Sequence, residues 1–190
     1  MDLNLPRGTY LIDMDGVLVD YMTEFNRRWG EKFPDRPSID LETQREFYAE
    51  DELGDDAWAQ DISDIIQAPD FFSSLQPLPY AVAGINLLLA QGNEVLICTA
   101  PNIKNNHCES GKKESLKRHF GEIWYRRTII AKDKTPIRAD YLIDDKPMID
   151  GRFTPAWEHI VYDQPYNRWQ ATAIRKKRFT WQQGLFTSEE

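Results

Sequence analysis

Short apolar runs alternate with longer amphipathic stretches along the chain, and this alternation predicts the secondary structure. Five runs have the length and the β-branched or aromatic content of buried strands. They are Thr9–Asp13, Glu94–Thr99, Thr128–Ile130, Tyr141–Ile143 and His159–Tyr162. Helical patterns lie between several of these runs, most clearly over Ala81–Gln91 and Lys113–Phe120, and a glycine follows each of the two. Strands that alternate with helices predict an α/β fold with a parallel sheet.

The spacing of the strands predicts an insertion. Roughly eighty residues separate the first run from the second, far more than the dozen or so that a crossover connection requires. Residues 33–72 contain helical patches at Leu41–Glu50 and Ala57–Gln67. We therefore predict a small helical cap over residues 33–72 and an α/β core formed by residues 1–32 and 73–190. Long insertions at ligand-bearing strand ends are often functional, although a peripheral decoration without a role is the alternative.

Composition narrows the class of protein. The 190 residues fit one domain or one domain with an insertion, and the net charge of −8 disfavours a protein that coats long nucleic acid. The two cysteines, Cys98 and Cys108, cannot form a disulfide framework, and no stretch approaches the ~20 apolar residues of a membrane span. We expect a cytoplasmic protein. We also expect the basic stretch of residues 175–178 to be a solvated helix face.

The first strand run ends in two carboxylates, Asp13 and Asp15, followed by Gly16. A calcium loop is excluded because Val17 and Leu18 occupy its fifth and sixth positions, which require an oxygen ligand and a glycine. Two interpretations remain for this pair taken alone. One is a solvated acidic turn, and the other is a nucleophilic aspartate with a magnesium ion and a second aspartate that carries protons.

Later strand runs also end in polar residues. Thr99 is a candidate for contacting a phosphate oxygen, and Lys132 and Lys134 supply cations after the third run, although each could belong to an ordinary surface turn. The fourth run ends in Asp144 and Asp145. Ligands bind outside the carboxyl ends of parallel strands, so these groups should converge on the first acidic pair. Four acids at one site require a divalent cation, for which magnesium is the expected choice.

This set of motifs resembles that of the haloacid dehalogenase-like hydrolase superfamily and, more narrowly, the 5′(3′)-deoxyribonucleotidase family. The similarity covers the chain from about Thr9 to about Trp169. It rests on the segments Asp13–Asp20, Pro77-Leu78-Pro79, Ile97–Pro101, Asp133-Lys134-Thr135, Leu142–Pro147 and Trp157-Glu158-His159. The resemblance implies a three-layer, Rossmann-like parallel sheet of the haloacid dehalogenase type, with a small helical cap inserted after the first strand.

The resemblance also implies a role for each acid. Asp13 would attack phosphorus, and Asp15 would protonate the leaving oxygen and then activate water. Asp13, the main-chain carbonyl of Asp15, and Asp144 would hold Mg²⁺. Asp145 would orient this set from close by.

The same resemblance assigns the phosphate-binding groups. They would be Thr99, the backbone amide of Ala100, and Lys134, which the family spacing of ten residues before the acidic pair selects over Lys132. A second phosphate-binding lysine aligns with Lys112, next to Lys113. The family often has serine where Ala100 stands, so one side-chain donor is missing here.

The resemblance also points to three aromatic residues, Tyr21, Phe47 and Tyr48, as the pocket for the nucleobase. Stacking on an aromatic ring contributes about 1–3 kcal/mol per base in single-strand binders. The family generally has tryptophan where Tyr48 stands, which leaves base preference open. The alternative is that Phe47 and Tyr48 form the core of the cap itself.

Together these roles imply a magnesium-dependent phosphatase. It would hydrolyse deoxyribo- and ribonucleoside monophosphates to nucleoside and phosphate through an aspartyl-phosphate. The alternatives are a phosphatase for another small phosphate, such as a sugar phosphate, and a catalytically silent nucleotide-binding module. The expected partner is a nucleoside monophosphate, with neither long nucleic acid nor a membrane, and the oligomeric state is open, with a homodimer as one option.

Overall fold

A single sheet forms the centre of the computed structural model, which describes residues 2–170 and 176–187. In those ranges the sheet has seven strands in the order β3-β2-β1-β4-β5-β6-β7. The strands are β1 Thr9–Ile12, β2 Glu94–Thr99, β3 Thr128–Ile130, β4 Tyr141–Asp144, β5 Glu158–Tyr162, β6 Lys177–Thr180 and β7 Gly184–Thr187. Strands β1 to β6 pair in parallel and β7 is antiparallel to β6. The predicted α/β class and the five predicted strands are confirmed, with bounds that differ by one residue at most.

The predicted helix face at residues 175–178 is wrong where the structure describes it. Arg175 lies outside the described residues, but Lys177 and Arg178 begin β6. The Arg178 side chain is buried and forms an ion pair with Asp163 at 2.5 Å. The Asp163 carboxylate thus compensates for the burial of the Arg178 guanidinium. The basic residues around Arg178 in the sequence do not reveal this ion pair.

Seven α-helices flank the sheet or lie above it in the described ranges. They are α1 Tyr21–Lys32, α2 Ala49–Leu53, α3 Ala59–Ile66, α4 Phe71–Ser74, α5 Ala81–Ala90, α6 Cys108–Phe120 and α7 Glu122–Arg126. Short 3₁₀ helices cover Asp56–Trp58 and Pro165–Asn167. The helices predicted over Ala81–Gln91 and Lys113–Phe120 are confirmed, although α6 begins five residues earlier than expected. None of the described helices is long and apolar enough to cross a bilayer.

The inserted segment between β1 and α5 is only partly as predicted. Helix α3 and the preceding 3₁₀ turn account for the patch expected at Ala57–Gln67. The helix expected over Leu41–Glu50 is wrong, because residues before α2 form turns. There the Glu52 carboxylate accepts hydrogen bonds from the backbone amides of Arg45 and Glu46, which replace helical hydrogen bonds. The division into a cap at residues 33–72 and a core stays a prediction.

The strand order determines where ligands can bind. Strand β1 lies between β2 and β4, and the connections from this centre leave in opposite directions along the sheet. Such a switch point opens a crevice at the carboxyl ends of the strands. The ends of β1, β2 and β4 border that crevice.

Candidate active site

The predicted residues at three neighbouring strand ends meet at one edge of the sheet. Thr99 is the last residue of β2 and Asp144 is the last residue of β4. Asp13 directly follows β1, and its backbone amide donates a hydrogen bond to the Ile143 carbonyl at 2.9 Å. The register places Asp13 beside Asp144 and Thr99 one residue further along its strand, so all three lie at the carboxyl edge of the sheet, as the sequence predicts.

A tight turn directs the chain past Asp15. The backbone amides of residues 17–19 all donate to the Met14 carbonyl, and the Gly16 amide donates to Val19 at 2.9 Å. Gly16 has a φ of 72°, which favours glycine. A Cβ atom there would lie 2.4 Å from Asp145 Oδ2, so the turn packs directly against the second acidic pair.

Lys134 joins the two acidic pairs. Its Nζ lies 2.9 Å from Asp13 Oδ1 and 2.5 Å from Asp144 Oδ2, and its side chain is almost fully buried. Burial lowers the pKa of Lys134, but the two carboxylates outweigh it and the net pKa is raised, so the ammonium stays charged. Burial raises the pKa of Asp13, and Lys134 opposes that effect.

Lys112 pairs with the other acid of the first motif. Its Nζ lies 2.7 Å from Asp15 Oδ2 and donates hydrogen bonds to Thr99 Oγ1 at 2.8 Å and to the Ala100 carbonyl at 2.6 Å. The neighbouring Lys113 points instead to the ring of Tyr125. Burial raises the pKa of Asp15, with Lys112 acting in the opposite direction. The structure thus brings together Asp15, Lys112 and Thr99, and separates Lys113 from them.

The acid cluster consists of Asp13, Asp144 and Asp145, each of which offers a carboxylate oxygen within 4.8 Å of the others. The Asp15 side chain is not part of this group and forms an ion pair with Lys112 instead. Sequence reasoning placed Asp145 outside the metal ligands, whereas the geometry groups it with them. The role of each acid stays a prediction.

The donor set fits a hard divalent cation. All its atoms are carboxylate oxygens, the ligands that such a cation prefers. In the neighbouring acid, the buried oxygen Asp15 Oδ1 has no hydrogen-bond partner among the described residues. If the four acids are all ionised, the positive charges of Lys112 and Lys134 offset two of their four negative charges. One divalent cation would balance the remaining two.

A loop after β5 supplies contacts that sequence reasoning missed. The Tyr166 hydroxyl donates a hydrogen bond to Asp145 Oδ2, and Asn167 Nδ2 donates to the Asp145 carbonyl at 2.8 Å. Gln164 Nε2 donates to the Gly16 carbonyl at 2.7 Å. The only signal in the sequence was that this polar segment follows another predicted strand, since nothing local marks its partners.

The three residues predicted for the base pocket lie in two places. Tyr21 packs on Phe71, with ring centroids 5.0 Å apart. Burial raises the pKa of the Tyr21 hydroxyl, and the nearby Asp15 charge raises it further. Phe47 instead contacts Tyr48 and Tyr166, at centroid distances of 5.0 and 5.5 Å. Tyr48 is 50% exposed, so it does not form a core for the inserted segment.

A cavity of about 160 Å³ adjoins the second of these places. Its lining comprises Phe47, Tyr48, Lys146, Pro147, Met148, Asp150 and Gln170. The backbone amide of Lys146 donates to Asp144 Oδ1 at 2.9 Å, so the cavity wall continues into the acid cluster.

Known proteins resemble this chain over most of its length. The profile of the family described as "5' nucleotidase, deoxy (Pyrimidine), cytosolic type C protein" matches residues 7–186. The cytosolic-type 5′(3′)-deoxyribonucleotidase of Homo sapiens is 36% identical over 163 residues, which cover 83% of this chain and 81% of that protein. The mitochondrial 5′(3′)-deoxyribonucleotidase of Mus musculus is 35% identical over 176 residues, covering 90% and 80%. A HAD family hydrolase structure from Deinococcus radiodurans R1 superposes with a TM-score of 0.49 at 15% identity, over 84% of each chain.

Proposed function

The chain belongs to the deoxy (pyrimidine), cytosolic type C family of 5′-nucleotidases, and from this premise we propose that it hydrolyses nucleoside monophosphates to nucleoside and inorganic phosphate. Deoxyribonucleotides are the substrates that the names of its relatives favour. One observation carries the proposal: Asp13 and Asp15 lie two residues apart, and each is paired with a different buried lysine. That arrangement suits one acid to nucleophilic attack and the other to proton transfer.

In the first step, an Asp13 carboxylate oxygen attacks the phosphorus atom. The new oxygen–phosphorus bond forms as the bond to the nucleoside oxygen breaks, and Asp15 gives its proton to that oxygen. Burial favours the protonated form of Asp15, which supports this role. The products of the step are a free nucleoside and an aspartyl-phosphate on Asp13.

In the second step, water attacks the phosphorus of the aspartyl-phosphate. Asp15 accepts a proton from that water, the bond between Asp13 and phosphorus breaks, and inorganic phosphate leaves. Phosphoryl transfer requires mainly positioning and positive charge around the phosphate oxygens. Lys112 already contacts the neutral groups Thr99 Oγ1 and the Ala100 carbonyl, so a phosphate could take over these contacts.

A magnesium ion is the cofactor that the acid cluster supports best. Asp13, Asp144 and the main-chain carbonyl of Asp15 would hold it, and Asp145 lies close enough to join or orient them. When bound, Mg²⁺ supplies positive charge that offsets the carboxylates and the phosphate oxygens. Lys134 keeps Asp13 and Asp144 together from the protein side.

The base would bind at the aromatic wall formed by Phe47 and Tyr48. The half-exposed Tyr48 and the adjacent cavity leave ring surface accessible next to the acid cluster. Tyr21 would contact the substrate nearer to Asp15, where its own ring packs on Phe71.

The decisive experiment compares substrates and one matched pair of variants. Wild type, Asp13→Asn and Asp35→Asn are assayed with dUMP, dTMP and glucose 6-phosphate, with Mg²⁺ and with EDTA. We expect hydrolysis of the nucleotides that needs Mg²⁺, a loss of at least about 10³-fold in Asp13→Asn, and full activity in the exposed control Asp35→Asn. Faster turnover of the sugar phosphate would overturn the nucleotide assignment. Equal turnover by wild type and Asp13→Asn would overturn the covalent mechanism.

A further inference from the structure

Tyr166 lies between the aromatic wall and the acid cluster. Its hydroxyl donates a hydrogen bond to Asp145 Oδ2, and its ring meets the ring of Phe47 edge-on, with centroids 5.5 Å apart and planes at 87°. The side chain is almost fully buried. One residue therefore contacts both the group expected to stack on the base and an acid expected to serve the metal.

The loop that carries Tyr166 is firmly held. Asn167 Nδ2 donates to the carbonyls of Asp145 and Tyr162, both at 2.8 Å. Gln164 and Asn167 close a capping box around the 3₁₀ turn, and Gln164 also bonds the Gly16 carbonyl. The ring of Tyr166 is thus fixed relative to both acidic pairs, and its hydroxyl restricts the rotation of the Asp145 carboxylate.

Space around this contact is also tight. A Cβ atom at Gly16 would lie 2.7 Å from the Tyr166 hydroxyl and 2.4 Å from Asp145 Oδ2. The turn after β1, the Asp145 carboxylate and the phenol therefore pack as one unit. A change in the phenol is transmitted directly to the carboxylate, because the close packing leaves few alternative positions.

We propose that Tyr166 is a positioning residue with two separable parts, in which the hydroxyl orients Asp145 for the metal and the ring edge supports Phe47 for the substrate base. The second part rests on the proposed function, and the first does not. Hydrogen-bond partners of metal-binding carboxylates fix ligand orientation, and their loss costs about 10–100-fold in metal affinity or activity.

Three variants separate these parts. Tyr166→Phe keeps the ring and removes the hydroxyl, Tyr166→Leu removes both, and Tyr125→Phe removes an exposed phenol on α7 as the control. Binding of Mn²⁺, which prefers the same oxygen ligands as Mg²⁺, is titrated without nucleotide, with free Mn²⁺ followed by electron paramagnetic resonance. The KM and kcat for dUMP are measured separately at saturating Mg²⁺.

For Tyr166→Phe we expect a Kd for Mn²⁺ about 10-fold above wild type and an unchanged KM for dUMP. For Tyr166→Leu we expect the same change in Kd and, in addition, a several-fold rise in KM. If Tyr166→Leu does not fold, Phe47→Leu replaces it and should raise KM with no change in Kd. The control Tyr125→Phe should match wild type in both.

A Kd in Tyr166→Phe within twofold of wild type would overturn the role of the hydroxyl, and an unchanged KM in Tyr166→Leu, or in Phe47→Leu where it replaces that variant, would overturn the role of the ring. No Mn²⁺ binding by wild type would overturn the role in metal binding. If wild type does not hydrolyse dUMP but Tyr166→Phe still binds Mn²⁺ more weakly than wild type, only the proposed function and the role of the ring are refuted. The positioning of Asp145 is then still supported.

Discussion

Glu24, whose side chain is mostly buried, anchors an ion-pair network that joins α1 to α4. Its carboxylate accepts hydrogen bonds from Arg28 Nε at 2.6 Å, from Arg27 at 2.9 Å and from Ser74 Oγ at 2.8 Å. Arg28 continues to Asp70 through two further hydrogen bonds of 2.9 and 3.0 Å. The network holds α4 against the helix whose first residue is expected to line the substrate pocket.

The size of this contribution follows from the pKa of Glu24. Burial alone would raise that pKa, but the hydrogen bonds from Arg27, Arg28 and Ser74 outweigh it and lower the pKa from 4.5 to about 2. The shift corresponds to roughly 3 kcal/mol of folding stability at pH 7. Because the folded pKa is the lower one, the contribution is present above pH 4.5 and is lost as the pH falls toward 2. About 2 kcal/mol of it should disappear between pH 7 and pH 3.

The assay is urea unfolding of Glu24→Gln and a matched control at pH 7 and pH 3. Glu31→Gln is the control, since Glu31 pairs with the same Arg27 at 2.7 Å but is 65% exposed, against 11% for Glu24. We expect Glu24→Gln to lower the free energy of unfolding by roughly 2–3 kcal/mol at pH 7 and by much less at pH 3. Glu31→Gln should cost less than about 0.5 kcal/mol at both.

Two results would refute this reasoning. One is a loss of stability in Glu24→Gln that is the same at pH 7 and pH 3, because the shifted pKa would then not be its cause. The other is an equal loss in Glu31→Gln, because burial would then not distinguish the two glutamates.

Two substitutions at the site itself give further predictions. Gly16→Ala should lower the free energy of unfolding by at least about 2 kcal/mol and abolish phosphatase activity. The control Gly30→Ala, with open space around it in α1, should instead stabilise the fold by about 0.5–1 kcal/mol. Similar thermal unfolding of the two variants would contradict this prediction. Lys112→Met should lower kcat/KM for dUMP by about 10²–10³-fold, and the control Lys113→Met should leave it unchanged. Equal kcat/KM values in the two variants would refute the role of Lys112.

The sequence was informative wherever local pattern and strand topology act together. The runs of β2 and β3 have the bounds predicted for them, because short segments rich in β-branched and apolar residues are typical of strands, at the centre of a sheet as in β2 and at its edge as in β3. Once the strands are known to be parallel, Asp13, Thr99 and Asp144 must lie at one edge. Their convergence was therefore predictable without any knowledge of side-chain contacts.

Contacts between distant segments were not predictable in the same way. Tyr166 acts through Asp145, and no local pattern marks its position. Lys112 was expected from the family resemblance to bind phosphate, but its contact with Asp15 was not. The same holds for Arg178, whose charge indicated a solvated face until Asp163 was seen to pair with it. Burial of a polar side chain depends on its partner, so such residues emerge only from the folded structure.

The inserted segment contacts the site on two flanks that differ in how much they tolerate change. Near Asp15, the rings of Phe71 and Phe72 are buried and Lys112 lies over the Phe72 ring at 5.2 Å, so a substitution there disturbs packing and charge together. Near Asp145, Tyr48 is half exposed and contributes little to the core. Exposed positions usually change stability by less than about 0.5 kcal/mol on substitution. We therefore predict that substitutions at the second flank alter substrate preference while the residues proposed for phosphoryl transfer stay in place.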